Sequence, residues 1–418
     1  MTQPEKTQQR VIIVGAGVAG LALAQDLTRR RIAVDLVEQR PFAGGHAAQL
    51  ACKATERCVN CGACMVEERL AHALNGDGIR LLTASRITDA ACNGGYTARV
   101  AQQPVCIDPG KCTNCGECLR VCPQQGAVLR GTSAHHHSFY AIDPQHCLYF
   151  KDGSCRRCAE ACPEEAVDLD APGGELELRA DALALATGFT PYDPTDKPYG
   201  YGRFPNVITT LELDRMLRSG GELIRPGDGA PVRRIAFIQC VGSRDAKCGH
   251  LWCSQICCAV SMRTAQWIRH RCPQTEITCF YIDLQSMGSR FDDFYAGIQQ
   301  QVRFVRMIPA DIFEAQQGQV RLSYQDPNSK QPQEELFDLV ALAVGLMPAA
   351  GTREIIRTLQ LDDHLAQFPQ EQEEASAPLP PGLFMTGTVL GPMGIAASVA
   401  HAAKTADRIW DYLNRNHQ

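Results

Sequence analysis

Arg10–Gly20 reads RVIIVGAGVAG, and this stretch decides the fold. The β-branched, apolar run from Arg10 to Val14 predicts a short buried strand. It ends in Gly15-Ala16-Gly17-Val18-Ala19-Gly20, and an Ala- and Leu-rich stretch with helical periodicity follows to Arg30. Ala33 to Val37 then reads as a second, parallel strand closing on Glu38. The glycines alone would fit any tight structural turn. Strand, glycine turn, helix and strand in this order make a dinucleotide-binding β–α–β unit. Gly15 makes the turn, Gly17 lets the backbone approach a pyrophosphate, and Gly20 lets helix and strand pack closely. The helix N-terminus offers free N–H groups and a positive dipole end to the diphosphate. Glu38, 18 residues after Gly20, is placed to accept hydrogen bonds from ribose hydroxyls. In the following segment, Arg40–His46, the pair Gly44-Gly45 suits close approach to the same cofactor.

Working outward, cysteine dominates. The chain has 418 residues and 21 cysteines, most of them bunched. Cys112, Cys115, Cys118 and Cys122-Pro123 give C-x2-C-x2-C-x3-C-P; Cys147, Cys155, Cys158 and Cys162-Pro163 give C-x7-C-x2-C-x3-C-P. This is the spacing of a two-cluster ferredoxin, in which the cysteine before proline crosses to the other cluster. One [4Fe–4S] cluster would use Cys112, Cys115, Cys118 and Cys162, and the other Cys147, Cys155, Cys158 and Cys122. A third set, Cys52, Cys58, Cys61 and Cys64, reads C-x5-C-x2-C-x2-C. Four thiolates suit a cubane or a zinc ion, and the neighbouring glycine pair favours a redox cluster. A fourth set, Cys240, Cys253, Cys257 and Cys258, packs four thiols into nineteen residues, with buried structural cysteine as the alternative. Cys248 lies among them as a spectator, and Cys92, Cys106, Cys272 and Cys279 read as structural. His135, His136 and His137 read as a solvated loop rather than a metal site.

Composition narrows the class. A net charge of −5 gives no basic footprint for nucleic acid or anionic lipid. No apolar run is long enough to span a membrane. The polar start, Met1 to Arg10, shows no signal peptide, and C-x2-C runs point to a reducing compartment, so a cytoplasmic protein is expected. Five segments follow: 1–103, a first dinucleotide domain with the 52–64 cysteines; 104–170, a ferredoxin-like insert; 171–232, the first domain's continuation and a linker; 233–345, a second nucleotide-domain-like unit; and 346–418, the C-terminal part of the first domain. Asp181–Phe189 reads as one strand ending in Ala186-Thr187-Gly188, and 79–83 and 96–100 as strands returning to the first domain. A linker with one helix, Leu211 to Arg218, fills 190–231. Arg234–Gln239 and Asp338–Gly345 read as strands, and 366–381 as an exposed loop. Leu383–Lys404 gives strand, Gly387-Thr388, a loop and an Ala-rich helix.

This ordered set resembles the two-dinucleotide-domain flavoproteins of the thioredoxin-reductase type, which implies an α/β fold: a pair of dinucleotide-binding domains, here with an inserted ferredoxin-like α+β domain. More closely it resembles the A subunit of heterodisulfide reductase and its relatives in sulfur oxidation and sulfate reduction. The segments that carry this are Pro198–Thr209 (PYGYGRFPNVIT), Phe237–Asp245 (FIQCVGSRD), Trp252–Cys258 (WCSQICC) and Phe280–Asp283 (FYID). The resemblance implies FAD as cofactor, with Thr187, Gly188, Gly387 and Thr388 also near it, and an unusual cluster on Cys240, Cys253, Cys257 and Cys258. It further implies the B and C subunits of a heterodisulfide-reductase-like complex as partners, with a homodimer as a compatible assembly.

A second pyridine-nucleotide site would need another G-x-G-x-x-G. After Arg234–Gln239 the chain shows Cys240-Val241-Gly242-Ser243 instead. Flavin beside clusters converts two-electron into one-electron chemistry, and no Ser/His/Asp set or paired carboxylates suggest other catalysis. The expected function is therefore an electron-transfer subunit, with no catalytic residue assigned. The main rival is a stand-alone NAD(P)H-dependent reductase like the small subunit of glutamate synthase, and the third class is a cluster carrier without catalysis.

Overall fold

The computed structural model describes residues 8–56, 58–108, 110–132, 138–218, 223–285, 291–368 and 379–415. The expected loop His135–His137 lies outside them. So does most of the 366–381 loop; its start contributes a short turn, Asp363–Ala366, with Ala366 and Phe368 buried.

Two units share one plan. The first is a parallel five-stranded sheet in the order Leu383–Met385, Ala182–Leu185, Arg10–Val14, Ala33–Val37, Ile79–Leu82. Its middle strands are largely apolar on both faces because both faces are covered; the buried Asp35 is bonded by Arg10 and Arg80. Helices Val18–Arg29, Ala63–Asn75 and Ile395–Arg415 bury one face through Leu21, Leu27, Val66 and Ile409. On the other lies a three-stranded antiparallel sheet, Ser85–Cys92, Tyr96–Gln102 and Gly174–Ala180, with helix Ala350–Thr358. The second unit repeats this with parallel strands Val207–Thr209, Leu339–Val344, Arg234–Val241, Glu276–Phe280 and Arg303–Val305. Helices Thr210–Arg218, Cys257–Arg271 and Phe291–Ile298 cover one face, and antiparallel strands Asp311–Glu314, Val320–Gln325 and Pro332–Phe337 the other. The chain passes between units at Phe189–Pro191 and returns at Leu346–Pro348, and these two crossings pair antiparallel.

The differences from expectation have simple causes. The segment 181–189 breaks after Leu185, because Gly188 adopts φ +78° and turns the chain out of the first sheet. Strand Tyr96–Gln102 joins the antiparallel sheet, and only Ile79–Leu82 enters the parallel one. The second unit begins ahead of 233, since Val207–Thr209 is its edge strand and the helix starts at Thr210. The insert hangs between Tyr96–Gln102 and Gly174–Ala180, whose ladder ends with Gln102 opposite Gly174. It contains a hairpin, Val128–Thr132 with Ser138–Ile142, and three short helices around a small core of Cys118, Ile142, Cys147, Cys158 and Leu169. The Phe42 ring of the first unit packs against Gly131 of this hairpin, where a Cβ would approach it to 2.8 Å. Among the described residues no helix is long and apolar enough to cross a membrane.

Candidate functional site

A cavity of about 550 Å³ runs across the carboxyl ends of the first sheet's strands, the position in which open α/β sheets bind ligands. Gly15, Gly17, Glu38, Gly45, Thr187, Gly188 and Thr388 line it. Gly20, Gly44 and Gly387 do not, and serve close packing instead. A Cβ at Gly20 would stand 1.9 Å from Gly15 O, at Gly44 2.5 Å from Ala48 Cβ, and at Gly387 2.5 Å from Ala19 Cβ. Gly15 itself needs φ +104° and faces Ala186 O. Gly17 differs: a Cβ there would meet nothing nearer than Gly45 Cα at 4.0 Å. That open space before the helix N-terminus is the place a diphosphate requires.

Glu38 is buried at the strand end, and its two carboxylate oxygens accept from Ala16 N and Arg40 N, each at 2.9 Å. Burial pushes its carboxyl up, while those two N–H donors oppose the shift. Each oxygen can accept a further bond, and Glu38 lines the cavity, so it both clamps the glycine loop and remains available to a ribose.

Two orphaned polar atoms identify what the cavity lacks. His46 lines it with Nε2 3.1 Å from Phe189 O and its ring stacked on Phe189 at 4.6 Å, and its Nδ1 has no partner. Burial and the nearby Arg40 lower its pKa to about 4, so the ring is neutral and Nδ1 is a bare acceptor. Arg263 also lines the cavity, and its Nε is unpartnered. Buried polar atoms are normally satisfied, and a flavin dinucleotide would supply both a donor and acceptors here. The residues present fit FAD.

Next to this cavity lies a second one of about 1250 Å³, lined by Cys52, Cys58, Cys61 and Cys64. Cys61 lines both cavities, as do Ala47 and Leu50. The local geometry of this cysteine loop repeats that of the insert. Cys58-Val59-Asn60-Cys61-Gly62-Ala63-Cys64 matches Cys112-Thr113-Asn114-Cys115-Gly116-Glu117-Cys118. Asn60 and Asn114 have φ +50° and +61°, and Gly62 and Gly116 have φ +79° and +80°. Each glycine is the N-cap of the helix that follows. Asn60 N donates to Cys58 Sγ at 3.4 Å, and Gln255, with φ +60°, does the same to Cys253 Sγ at 3.3 Å. Backbone N–H groups aimed at sulfur are one of the means by which proteins tune cluster potentials. A left-handed residue two positions after a cysteine, an arch in the backbone, therefore stands in three of the four cysteine sets, and in two of them its N–H lies on the sulfur. Among the described residues no three Cys, His, Asp or Glu side chains converge on one point as a single zinc ion needs.

In the insert, Cys122 lines a small cavity with Cys147, Cys155 and Cys158. The cysteine before Pro123 is thus brought to the other half's triplet, as crossing requires. Cys118 is pushed up to about 11 by burial and by the thiols of Cys112, Cys158 and Cys115 around it. Cys106 also reaches about 11, through burial and through Cys147 and Cys158, so this thiol, isolated in sequence, stands beside the second cluster set. In the second unit Cys240, in the left-handed region at φ +60°, is raised to about 11 by burial and by Cys258 and Cys253. Cys257 is raised by burial and by Cys240, Cys258 and Cys253, which brings the fourth set together. Thiols so crowded and desolvated would need a compensating cation to ionise, such as cluster iron would provide. Cys279 is a neighbour of this set, near Cys258 and Cys240. Cys248 stands apart, engaged by Lys197 Nζ at 3.0 Å and Tyr192 Oη at 3.7 Å.

The second unit's turn does not repeat the first. The Tyr192 ring lies over Gly242, where a Cβ would approach it to 2.2 Å, and His250 meets the same ring edge-on at 5.8 Å. The Tyr192 ring thus occupies the space beside the one glycine of this turn. The cavity residues that sequence reasoning missed are His46, Arg263, Lys53 and Asp214. The signals were a histidine directly after the glycine pair, a lysine inside a cysteine segment, and an aspartate on the buried face of Thr210–Arg218 beside Leu213 and Leu217.

Comparison with known proteins agrees with this geometry. Residues 13–69 match the family model of an NAD(P)-binding Rossmann-like domain, and residues 111–166 that of a 4Fe-4S dicluster domain. The chain is 33% identical over 424 aligned positions to the A subunit of the H(2):CoB-CoM heterodisulfide,ferredoxin reductase of Methanothermobacter thermautotrophicus, covering 96% of this chain and 63% of that protein. It is 33% identical to the iron-sulfur A subunit of the CoB–CoM heterodisulfide reductase of Methanocaldococcus jannaschii, covering 95% and 63%. To the A subunit of the ferredoxin:CoB-CoM heterodisulfide reductase of Methanosarcina mazei it is 32% identical, covering 98% and 54%. The chain therefore spans somewhat over half the length of these relatives. In fold it resembles the thioredoxin reductases of T. acidophilum and Lactococcus lactis, each at TM-score 0.52 and 14% identity, covering 97% and 98% of this chain and 99% and 100% of theirs. Taken together, the matches show a Rossmann-like dinucleotide-binding domain joined to a 4Fe-4S dicluster domain.

Proposed function

We propose, for a chain that is related along nearly its whole length to the A subunit of heterodisulfide reductase, that it is the electron-transfer subunit of a heterodisulfide-reductase-like complex. It binds one FAD in the cavity of the first unit and four [4Fe–4S] clusters on its four cysteine sets. FAD supplies the exchange between electron pairs and single electrons. The glycine turn at Gly15–Gly17 and the helix N-terminus hold its diphosphate, Glu38 its ribose. Leu50, Ala47 and Cys61, which line both cavities, would stand between the flavin and the cysteine loop. Arches at Cys58 and Cys253 hold N–H groups on sulfur, and the insert carries two clusters outward to a docked partner.

The observation that carries this reading is Cys61, which lines the flavin cavity and the cysteine-loop cavity at once. It supports a flavin that hands electrons to a neighbouring cluster. Partners would be B- and C-type subunits, and the pathway one of sulfur-compound oxidation or reduction. The chain works in the cytoplasm on this reading. Tyr192 over Gly242 favours it over a stand-alone NAD(P)H reductase. The test is anaerobic NAD(P)H addition to purified holoprotein while flavin absorbance is followed, together with pull-down from native extract. Slow bleaching with copurifying redox proteins is expected. Rapid reduction of flavin and clusters without a partner would overturn it.

A further inference from the structure

An ion pair is buried in the lining of the flavin cavity. Lys53 and Asp214 are 3% and 0% exposed, and both line the cavity. Lys53 Nζ donates to Asp214 Oδ1 at 2.7 Å, to Oδ2 at 2.8 Å and to Ala51 O at 3.3 Å. Ala51 N donates to Asp214 Oδ1 at 3.0 Å. All three ammonium hydrogens thus have acceptors, and one carboxylate holds the backbone on one side of Cys52 and the side chain on the other. Such a pair is weak as a source of stability, because desolvating both charges costs about what their attraction returns. A well-packed apolar pair would serve the fold equally, so a charge kept here needs another account.

Its surroundings supply one. The diphosphate nest stands at Gly15–Gly17 and the ribose acid at Glu38, so the remaining length of the cavity belongs to the flavin ring. Leu50, Lys53, Cys61, Asp214 and Arg263 line the same cavity beyond those two groups. Reduction by two electrons and one proton leaves the ring with one negative charge, and the adjacent cluster also gains negative charge on reduction. A fixed cation in a dry cavity acts strongly on both.

Resting on the FAD reading above, we propose that Lys53 is a positioning residue that raises the flavin's reduction potential, with Asp214 partly offsetting its charge and clasping Cys52 to helix Thr210–Arg218. The two partners then act with opposite sign. Lys53→Met removes the cation and makes the flavin harder to reduce. Asp214→Asn removes the counter-charge and makes it easier. Lys53→Arg keeps the charge and stays near wild type. A tenfold change in the ratio of reduced to oxidised flavin at fixed poise is expected for each neutralising variant, which is about 30 mV for a two-electron couple.

The experiment is an anaerobic spectroelectrochemical titration of the reconstituted full chain, with FAD and iron content measured first. Wild type without FAD would sink the underlying reading. With FAD bound, shifts of opposite sign for Lys53→Met and Asp214→Asn, and a near-normal Lys53→Arg, support the inference. Unchanged potentials, or shifts of the same sign as general loosening would give, overturn it. If Lys53→Met loses its flavin, the sign for Asp214→Asn decides alone: an upward shift supports, and no shift or a downward one refutes.

Discussion

Replacing Gly17 and Gly20 separately should divide flavin binding from folding. At Gly17 φ is −82°, which any residue adopts, and an added Cβ has no neighbour closer than Gly45 Cα at 4.0 Å. Gly17→Val should therefore change the stability of the flavin-free chain by no more than about 0.5 kcal/mol, while its methyls fill the space a diphosphate needs. At Gly20 a Cβ would lie 1.9 Å from Gly15 O, a backbone atom that cannot swing away. Helix propensity favours alanine over glycine there by about 1 kcal/mol. Overpacking against the turn opposes it with roughly 1–3 kcal/mol, so Gly20→Ala should come out destabilised by about 1 kcal/mol. The assay is thermal denaturation of flavin-free protein with and without added FAD, alongside the FAD-to-protein ratio. Wild type should gain about 4 kcal/mol at an FAD concentration a thousand times its Kd. Gly17→Val should match wild type without FAD and gain nothing with it. Stoichiometric FAD retained by Gly17→Val, or a flavin-free Gly20→Ala as stable as wild type, would refute the reasoning.

Cys122→Ala should disturb the cluster held by Cys147, Cys155 and Cys158 rather than that of its own half; paramagnetic resonance showing loss of the Cys112–Cys118 cluster alone would contradict crossing. Reconstituted protein should carry about 16 iron atoms at four per cubane, and Cys58→Ala about 12; a wild-type value near 8 would restrict clusters to the insert. His46 has a folded pKa of about 4 against about 6.5 unfolded, so its stabilising contribution is present above about 6.5 and lost as pH falls to about 4. His46→Gln should flatten that part of the flavin-free stability profile, and an unchanged slope between these pH values would argue against a buried neutral ring.

The first β–α–β unit was readable because its signals are local: four consecutive apolar residues, three glycines and an acid in fixed order. The dicluster insert was readable for the same reason. What escaped depends on contacts distant in sequence. Asp214 looks like one more charge on an amphipathic helix until it meets Lys53, 161 positions away. Cys106 and Cys279 look isolated because the thiols beside them come from other elements. The strand Val320–Gln325 alternates clearly, yet its hairpin partners Asp311–Glu314 and Pro332–Phe337 are rich in charge and give little strand signal of their own. The repeated arch is a different case. CVNCGAC and CTNCGEC stand plainly in the sequence, but the equivalence acquires meaning only when asparagine and glycine are seen with the same left-handed backbone.

The ladder at the base of the insert has a consequence for how such a protein can be built and rebuilt. Gln102 and Gly174 are strand partners, which puts their Cα atoms about 5 Å apart. To the host sheet, everything between them amounts to a hairpin turn. A segment attached in this way can be gained, lost or exchanged with little disturbance to the cores on either side, because its two ends already meet. The same attachment makes it a pendant, held at its base by one ladder and resting on Phe42 at Gly131. Electron wiring can thus be lengthened, shortened or redirected to a new partner at this junction while the flavin chemistry stays where it is.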